Sequence, residues 1–266
     1  MLDVNNNSAV NCQNINLTLG EKSILNDISL NIEKGQVTTL LGGNGAGKSS
    51  LLKIFSGEME ASNKKSSDIY YFNKHKESWY RNDLAKHLAM LPQQSSLTFS
   101  FTVEEVVELG LLPLSLSREQ SKVAVNKVLN KVDAMHLKSR LYPLLSGGEK
   151  QRVHLARVLI QLSDAGNQSI LMLDEPTSAL DLSHQHNTLR IARDIANKGA
   201  AVIIVLHDLN LASQYSDRIL LLNKGRIQAD GTPWEVLTEL NIATVYDHKV
   251  NVLKHPTNNY PVIYAL

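Results

Sequence analysis

The stretch "GGNGAGKSS" at 42–50 constrains this chain more than any other. It follows "GQVTTLL", which reads as a buried strand, and opens a stretch with helical spacing, "KSSLLKIFSG". A strand that passes through a glycine-rich turn into a helix points backbone amides inward, and the helix start adds the positive end of its dipole. The product is a cradle for phosphate groups. Gly42, Gly47, Lys48 and Ser49 hold the defining positions of G-x-x-x-x-G-K-[ST], with Gly43, Asn44, Gly45 and Ala46 between them and Ser50 following. This spacing lets Lys48 reach the β- and γ-phosphates of a nucleotide and offers the Ser49 hydroxyl to Mg²⁺.

The rest of the chain reads as the scaffold such a loop needs. Before it, "VNCQNINLTL" and "SILNDISLNI" alternate apolar and polar residues around a turn at "GEK", which predicts an antiparallel N-terminal β region. After it, the polar stretch at about 60–80 predicts a partial surface excursion, and 102–160 turns helical. From 169 onward strands and helices alternate: "SILMLDE", "SHQHNTLRIARDIANKG", "AAVIIVLHD", "LNLASQYSDR" and "ILLLNKGRIQAD". That alternation implies an α/β fold with a parallel sheet covered on both faces. The expected organisation is one domain over 1–266, with a core at about 1–95 and 161–266 and a helical subdomain inserted at about 96–160. The tail at 248–266 predicts a short strand region packed on the body.

Two more strand ends carry chemistry. "ILMLDEP" finishes in two carboxylates, which at the end of a parallel strand face a ligand. Asp174 is placed to hold Mg²⁺ and Glu175 to orient or deprotonate an attacking water. His207 ends the run "AAVIIVLHD", where a donor could contact a γ-phosphate. His184 and His186 in "SHQH" resemble a metal pair, but a spacing of two on a helix sends them to different sides, which predicts solvated surface. The aromatics of "YYFNKHKESWY" predict ordinary packing.

Composition narrows the function classes. With 27 basic and 26 acidic residues the chain has no basic excess, which argues against a nucleic-acid partner. The lone Cys12 allows no internal disulfide and fits a reducing compartment. The start "MLDVNNNSAV" lacks the pattern of a signal peptide, and apolar runs such as "AAVIIVL" fall far short of the ~20 residues a membrane span needs.

A second anion-binding device then needs explaining. "LLSGGEKQRVHLAR" opens a helix with Ser-Gly-Gly, about a hundred residues after the phosphate loop and inside the helical insert. One chain gives these two devices no common pocket; a symmetric dimer does, with the Ser-Gly-Gly of one subunit covering the nucleotide held by the other. Here the chain resembles the ATPases of ABC transporters. "LSGGEKQRV" is similar to their signature, and it occurs with "GGNGAGKSS", "LPQQ", "ILMLDE", "SALD" and His207 in the family's order.

The resemblance implies a P-loop ATPase fold whose two subunits bind two MgATP head to tail, close, and reopen on hydrolysis. It implies that Lys48, Ser49 and Asp174 bind phosphates and metal and that Glu175 is the base. Gln93, or Gln94 if the loop register slips, links the metal site to the membrane partner. Ser146, Gly147 and Gly148 complete the other subunit's γ-phosphate site, Asp181 crosses the interface, and His207 senses the γ-phosphate. Departures are Gly43 and Ser50, where the family usually has Pro and Thr, and Leu19, where an aromatic commonly stacks on adenine. "LPQQSSLTFSFTVEEVVELGLLP" and "SALDLSHQHNTLRIARDIA" resemble the ATPases of importers for iron-siderophores, cobalamin and haem, those for haem foremost. This implies a two-copy permease, a periplasmic binding protein acting through it, and a peripheral place on the cytoplasmic face of a bacterial inner membrane. Soluble ABC ATPases acting on DNA or ribosomes form another class; they usually carry a long coiled coil or two cassettes, and neither is seen here, while a non-hydrolysing scaffold is disfavoured by the presence of Lys48, Glu175 and His207.

Overall fold

Strand alternation, interrupted once in each strand, builds the first layer. The computed structural model describes residues 7–63, 68–93 and 99–266. In β1 (Ser8–Leu19), after the buried Ser8 and Ala9, the buried side chains are Val10 and Cys12, then Ile15 and Leu17; the change from even to odd positions falls at Asn14, whose φ is +51°. In β2 (Lys22–Glu33) the reverse change, from odd Leu25 to even Ile28, Leu30 and Ile32, falls at Asp27 with φ +55°. Such bulges bend and twist a hairpin so that it wraps what lies beneath it. β3 (Val37–Gly42) then enters the centre of the molecule, with every residue buried, and ends on the glycine loop. Helix α1 (Lys48–Ser56) starts two residues past Ala46 and stops at Gly57, whose left-handed φ of 81° lets its N–H bond back to Ile54.

The polar stretch that follows lies only partly on the surface. β4 (Asp68–Tyr71) pairs with β1, and β5 (Lys74–His75) pairs with β4, extending the N-terminal sheet to the order β2-β1-β4-β5. Tyr71 is fully buried and its hydroxyl donates to the Phe55 carbonyl at 2.5 Å, tying this sheet to α1. Phe72, Trp79 and His87 stack edge to face nearby, the ordinary packing expected of these aromatics.

After α2 (Arg81–His87) comes β6 (Leu88–Leu91), an edge strand of the main sheet. The chain then leaves the sheet for α3 (Val103–Glu108), α4 (Arg118–Lys131) and α5 (Gly147–Gln161), which pack on one another. β7 (Ile170–Asp174), α6 (Leu182–Ala196), β8 (Ala201–Val205), α7 (Leu209–Tyr215) and β9 (Arg218–Asn223) return to it. β10 (Arg226–Gly231) closes as an antiparallel hairpin on β9. Two short helices, α8 (Pro233–Val236) and α9 (Glu239–Tyr246), precede the separate hairpin β11 (Val250–Lys254) and β12 (Pro261–Ala265).

The main sheet runs β10-β9-β3-β8-β7-β6, parallel throughout except for β10. Its strands alternate between two cores. Leu171, Leu173, Val202, Ile204 and Leu221 face the helices α3 to α7, while Ile170, Met172, Ile203, Val205 and Leu220 face α1 and the N-terminal sheet. Burial on both faces explains the near-continuous apolar runs in the sequence. Because β3, β8, β7 and β6 are adjacent and parallel, the residues after their C-terminal ends share one rim: the loop at 42–50, His207, Glu175 and Gln93, in that order across the sheet.

Candidate nucleotide site

At that rim a cleft of 270 Å³ is lined by Asn44, Gly45, Ala46, Gly47, Lys48, Ser49 and Ser50 of the loop, by Gln93, Glu175 and His207, and by Lys22 and Ile24 from β2. Glycine is obligatory at two corners of the loop. Gly42 has φ +146° and a Cβ there would run into the Leu222 carbonyl, while at Gly47, with φ +101°, it would lie 2.6 Å from Leu25 Cδ2. Lys48 is buried and its ammonium donates to the carbonyls of Gly42 at 2.7 Å and Gly43 at 3.0 Å. Burial pulls its pKa below the usual lysine value, and the carboxylates of Glu175 and Asp174 push the other way.

Ser49 donates its hydroxyl to Asp174 Oδ1 at 3.0 Å. Burial raises the Asp174 pKa, with the Ser49 hydrogen bond opposing, so its charge is costly without a cationic partner. A hydroxyl and a carboxylate converging beside an amide side chain form an all-oxygen donor set that suits Mg²⁺, a hard ion that keeps several waters.

Glu175 adds one rung to the β7 ladder, its N–H bonding the Val205 carbonyl at 3.2 Å, and then turns at φ +51°. Its carboxylate is held at both oxygens: Gln93 Nε2 donates to Oε2 at 2.7 Å and His207 Nε2 lies 2.6 Å from Oε1. Gln151, on the first turns of α5, donates to the Glu175 carbonyl at 3.1 Å. Sequence reasoning missed that link, and also Tyr246, whose hydroxyl accepts the Gly42 N–H at 3.0 Å.

The Ser-Gly-Gly segment does open a helix. Ser146 is the N-cap of α5 in a capping box with Glu149: Glu149 Oε2 accepts the Ser146 N–H at 2.7 Å and Ser146 Oγ accepts the Glu149 N–H at 3.3 Å. Gly147 and Gly148, first in the helix, have no carbonyl a turn behind them to bond. Gly148 packs so closely on residues 179–180 that a Cβ would lie 3.0 Å from the Ala179 carbonyl. Ser146, Gly147, Gly148 and Asp181 do not line the cleft that holds the loop. Asp181 caps α6, accepting the His184 N–H at 2.9 Å and facing His184 Nδ1 at 2.8 Å.

Two further expectations are refined. His184 and His186 do point to different sides, yet neither is merely solvated: His184 bridges Asp181 and Asp133, and His186 Nδ1 meets the Tyr215 hydroxyl at 2.8 Å. Leu19 ends β1 opposite Lys22, is 49% exposed and does not line the cleft, where Ile24 supplies apolar surface instead. Gln94 lies outside the described residues. Among those residues, no helix is long and apolar enough to cross a membrane.

Loop, acidic strand end and histidine on adjacent strands, with a glycine-started helix outside the cleft, define a class of nucleotide-driven machine, and comparison with known proteins gives its family. Residues 25–178 match the ABC transporter family, and the chain belongs to it as an ATPase subunit, which implies a membrane-embedded permease partner. Among curated relatives it is 57% identical over 257 residues to the hemin import ATP-binding protein HmuV of Aliivibrio fischeri, with 97% of each chain covered. It is 51% identical to the protein of the same name from Vibrio cholerae, covering 96% of this chain and 98% of that one. Among solved structures it resembles an inward-facing ABC transporter (TM-score 0.79, 23% identity, 98% of both chains), a likeness of fold. It also resembles cbiO1 from Clostridium perfringens, part of the ABC transporter complex cbiONQ (TM-score 0.74, 28% identity, 90% and 94% covered).

Proposed function

We propose that this ATPase powers haem import. It works as a homodimer beneath a two-copy permease that receives cargo from a periplasmic binding protein, on the cytoplasmic face of the inner membrane. The cargo reading rests on the near-full-length identity to proteins named for hemin import. The chemistry rests on one observation: Glu175 is held between Gln93 and His207 beside the Ser49–Asp174 pair and the phosphate loop.

In this reading the amides of Asn44 to Ser50 and the ammonium of Lys48 cradle the phosphates. Ser49, Asp174 and Gln93 hold Mg²⁺, which neutralises charge on the β- and γ-phosphates when bound. Glu175 takes a proton from the attacking water as its oxygen bonds to the γ-phosphorus and the bond to the β–γ bridging oxygen breaks, leaving ADP and phosphate. His207 fixes Glu175 and meets the γ-phosphate. Ser146 and the free amides of Gly147 and Gly148 act on the nucleotide of the second subunit, and Asp181 lies at that interface. The single-domain organisation, with 96–160 as a helical subdomain, lets Gln93 report the state of the γ-phosphate to the permease.

The test uses the chain assembled with its permease and binding protein. Glu175→Gln keeps the shape of the side chain but removes the base; it should bind MgATP normally and lose at least about a hundredfold in turnover, and haem uptake with it. Near-normal turnover would remove Glu175 from its role. Uptake of a ferric siderophore or cobalamin, with haem left outside, would overturn the cargo.

A further inference from the structure

The C-terminal segment, beyond the stretch that matches the family, reaches the phosphate loop. Gly42 is the last residue of β3, where the ladder ends and its N–H needs another acceptor. The acceptor is the hydroxyl of Tyr246, the last residue of α9, at 3.0 Å. The neighbouring Val245 carbonyl lies 3.6 Å from where a Cβ on Gly43 would stand, so the end of α9 abuts the loop at both residues. Lys48 grips the same two residues through their carbonyls. Gly42 and Gly43 are therefore held from the nucleotide side by Lys48 and from the opposite end of the chain by α9.

The same segment is tied to the other half of the rim. Strand β12 bonds twice to Asn210, Ile263 N–H donating to Oδ1 at 2.8 Å and Asn210 Nδ2 donating to the Ile263 carbonyl at 3.1 Å. The buried Ser213 hydroxyl donates to the Pro261 carbonyl at 2.5 Å. Asn210 and Ser213 belong to α7, whose N-cap, Asp208, directly follows His207. One segment thus spans from the first glycine of the loop to the helix behind His207.

We propose that Tyr246 is a positioning residue for nucleotide binding: by accepting the Gly42 N–H it fixes where the phosphate loop leaves β3, and the segment 239–266 braces that loop against the helix that carries His207. The inference rests on the reading of the cleft as the ATP site. A loop that leaves its binding geometry part of the time binds in proportion to the fraction that remains competent. Removing the hydroxyl should therefore weaken binding without changing the chemistry of the bound state.

Steady-state kinetics of the full chain with its permease would test this, comparing wild type with Tyr246→Phe and Asn210→Ala. Tyr246→Phe should raise the KM for MgATP about five- to tenfold, as expected for one lost buried hydrogen bond, with kcat changed by less than about twofold. Asn210→Ala, which frees the far anchor, should shift KM in the same direction by less. A lower kcat at unchanged KM, the mark of damaged folding or chemistry, would overturn the proposal. A shift in Tyr246→Phe alone would overturn the brace. Amide exchange at Gly42 separates this failure from failure of the ATPase reading. Faster exchange in Tyr246→Phe is expected whatever the nucleotide, and unchanged exchange would refute the contact itself.

Discussion

Glu175 occupies a left-handed conformation, φ +51°, that costs a residue with a Cβ roughly 1–2 kcal/mol. It persists because its backbone is gripped at both ends, N–H on Val205 and carbonyl on Gln151 and the Ser178 hydroxyl, while Gln93 and His207 hold the carboxylate. Gln151→Ala should let the turn relax and move the carboxylate we propose as the base. Turnover is expected to fall about tenfold, equivalent to ~1.4 kcal/mol, with MgATP affinity measured by titration little changed; an unchanged kcat would show that the turn holds without it. At this scale the sequence was legible wherever chemistry is packed into a local pattern. Lys48 and Ser49 share a turn, and Asp174 and Glu175 share a strand end. Gln151 and Tyr246 were not legible, because each acts on a residue distant in the chain through a single contact that leaves no periodicity.

Among the elements, α5 carries a titratable weakness. His154 is buried two turns into the helix, its Nε2 sharing a 2.7 Å hydrogen bond with the hydroxyl of the equally buried Tyr142, just before Ser146. Burial, aided by the nearby Arg157, pulls the His154 pKa from 6.5 down to about 4. The unfolded chain then binds more protons than the folded one between those values. The associated stability is therefore present above pH 6.5 and is lost as pH falls toward 4, a change on the order of 3 kcal/mol. Melting temperature should drop across that window and drop less in His154→Gln; parallel curves would contradict the assignment. Helices such as α5 were legible from their caps and spacing. The strands β4 and β6 were not: each is four residues long and takes its identity from pairing with β1 or β7, distant in sequence. The same long-range pairing turned a polar stretch into part of a buried sheet.

For the whole molecule, the central claim is that one chain supplies only part of each working site. Lys48, Ser49, Gln93, Asp174, Glu175 and His207 converge on one rim, whereas Ser146, Gly147, Gly148 and Asp181 stand outside its cleft. The sequence hinted at this division through two helix starts of the kind that can bind anions, since the proposed closed point-group dimer would bring both to each nucleotide. The measurement that tests it most directly is nucleotide trapping by a purified heterodimer on its permease, with Glu175→Gln in both subunits to prevent turnover. One subunit also carries Ser146→Arg and the other Lys48→Ala. If the signature acts on the partner's nucleotide, one site pairs an intact Lys48 with an intact Ser146, and the heterodimer should retain one MgATP while each parent homodimer retains none. Retention no greater than in the parents would mean that Lys48 and Ser146 serve the same nucleotide within one chain, contradicting the account.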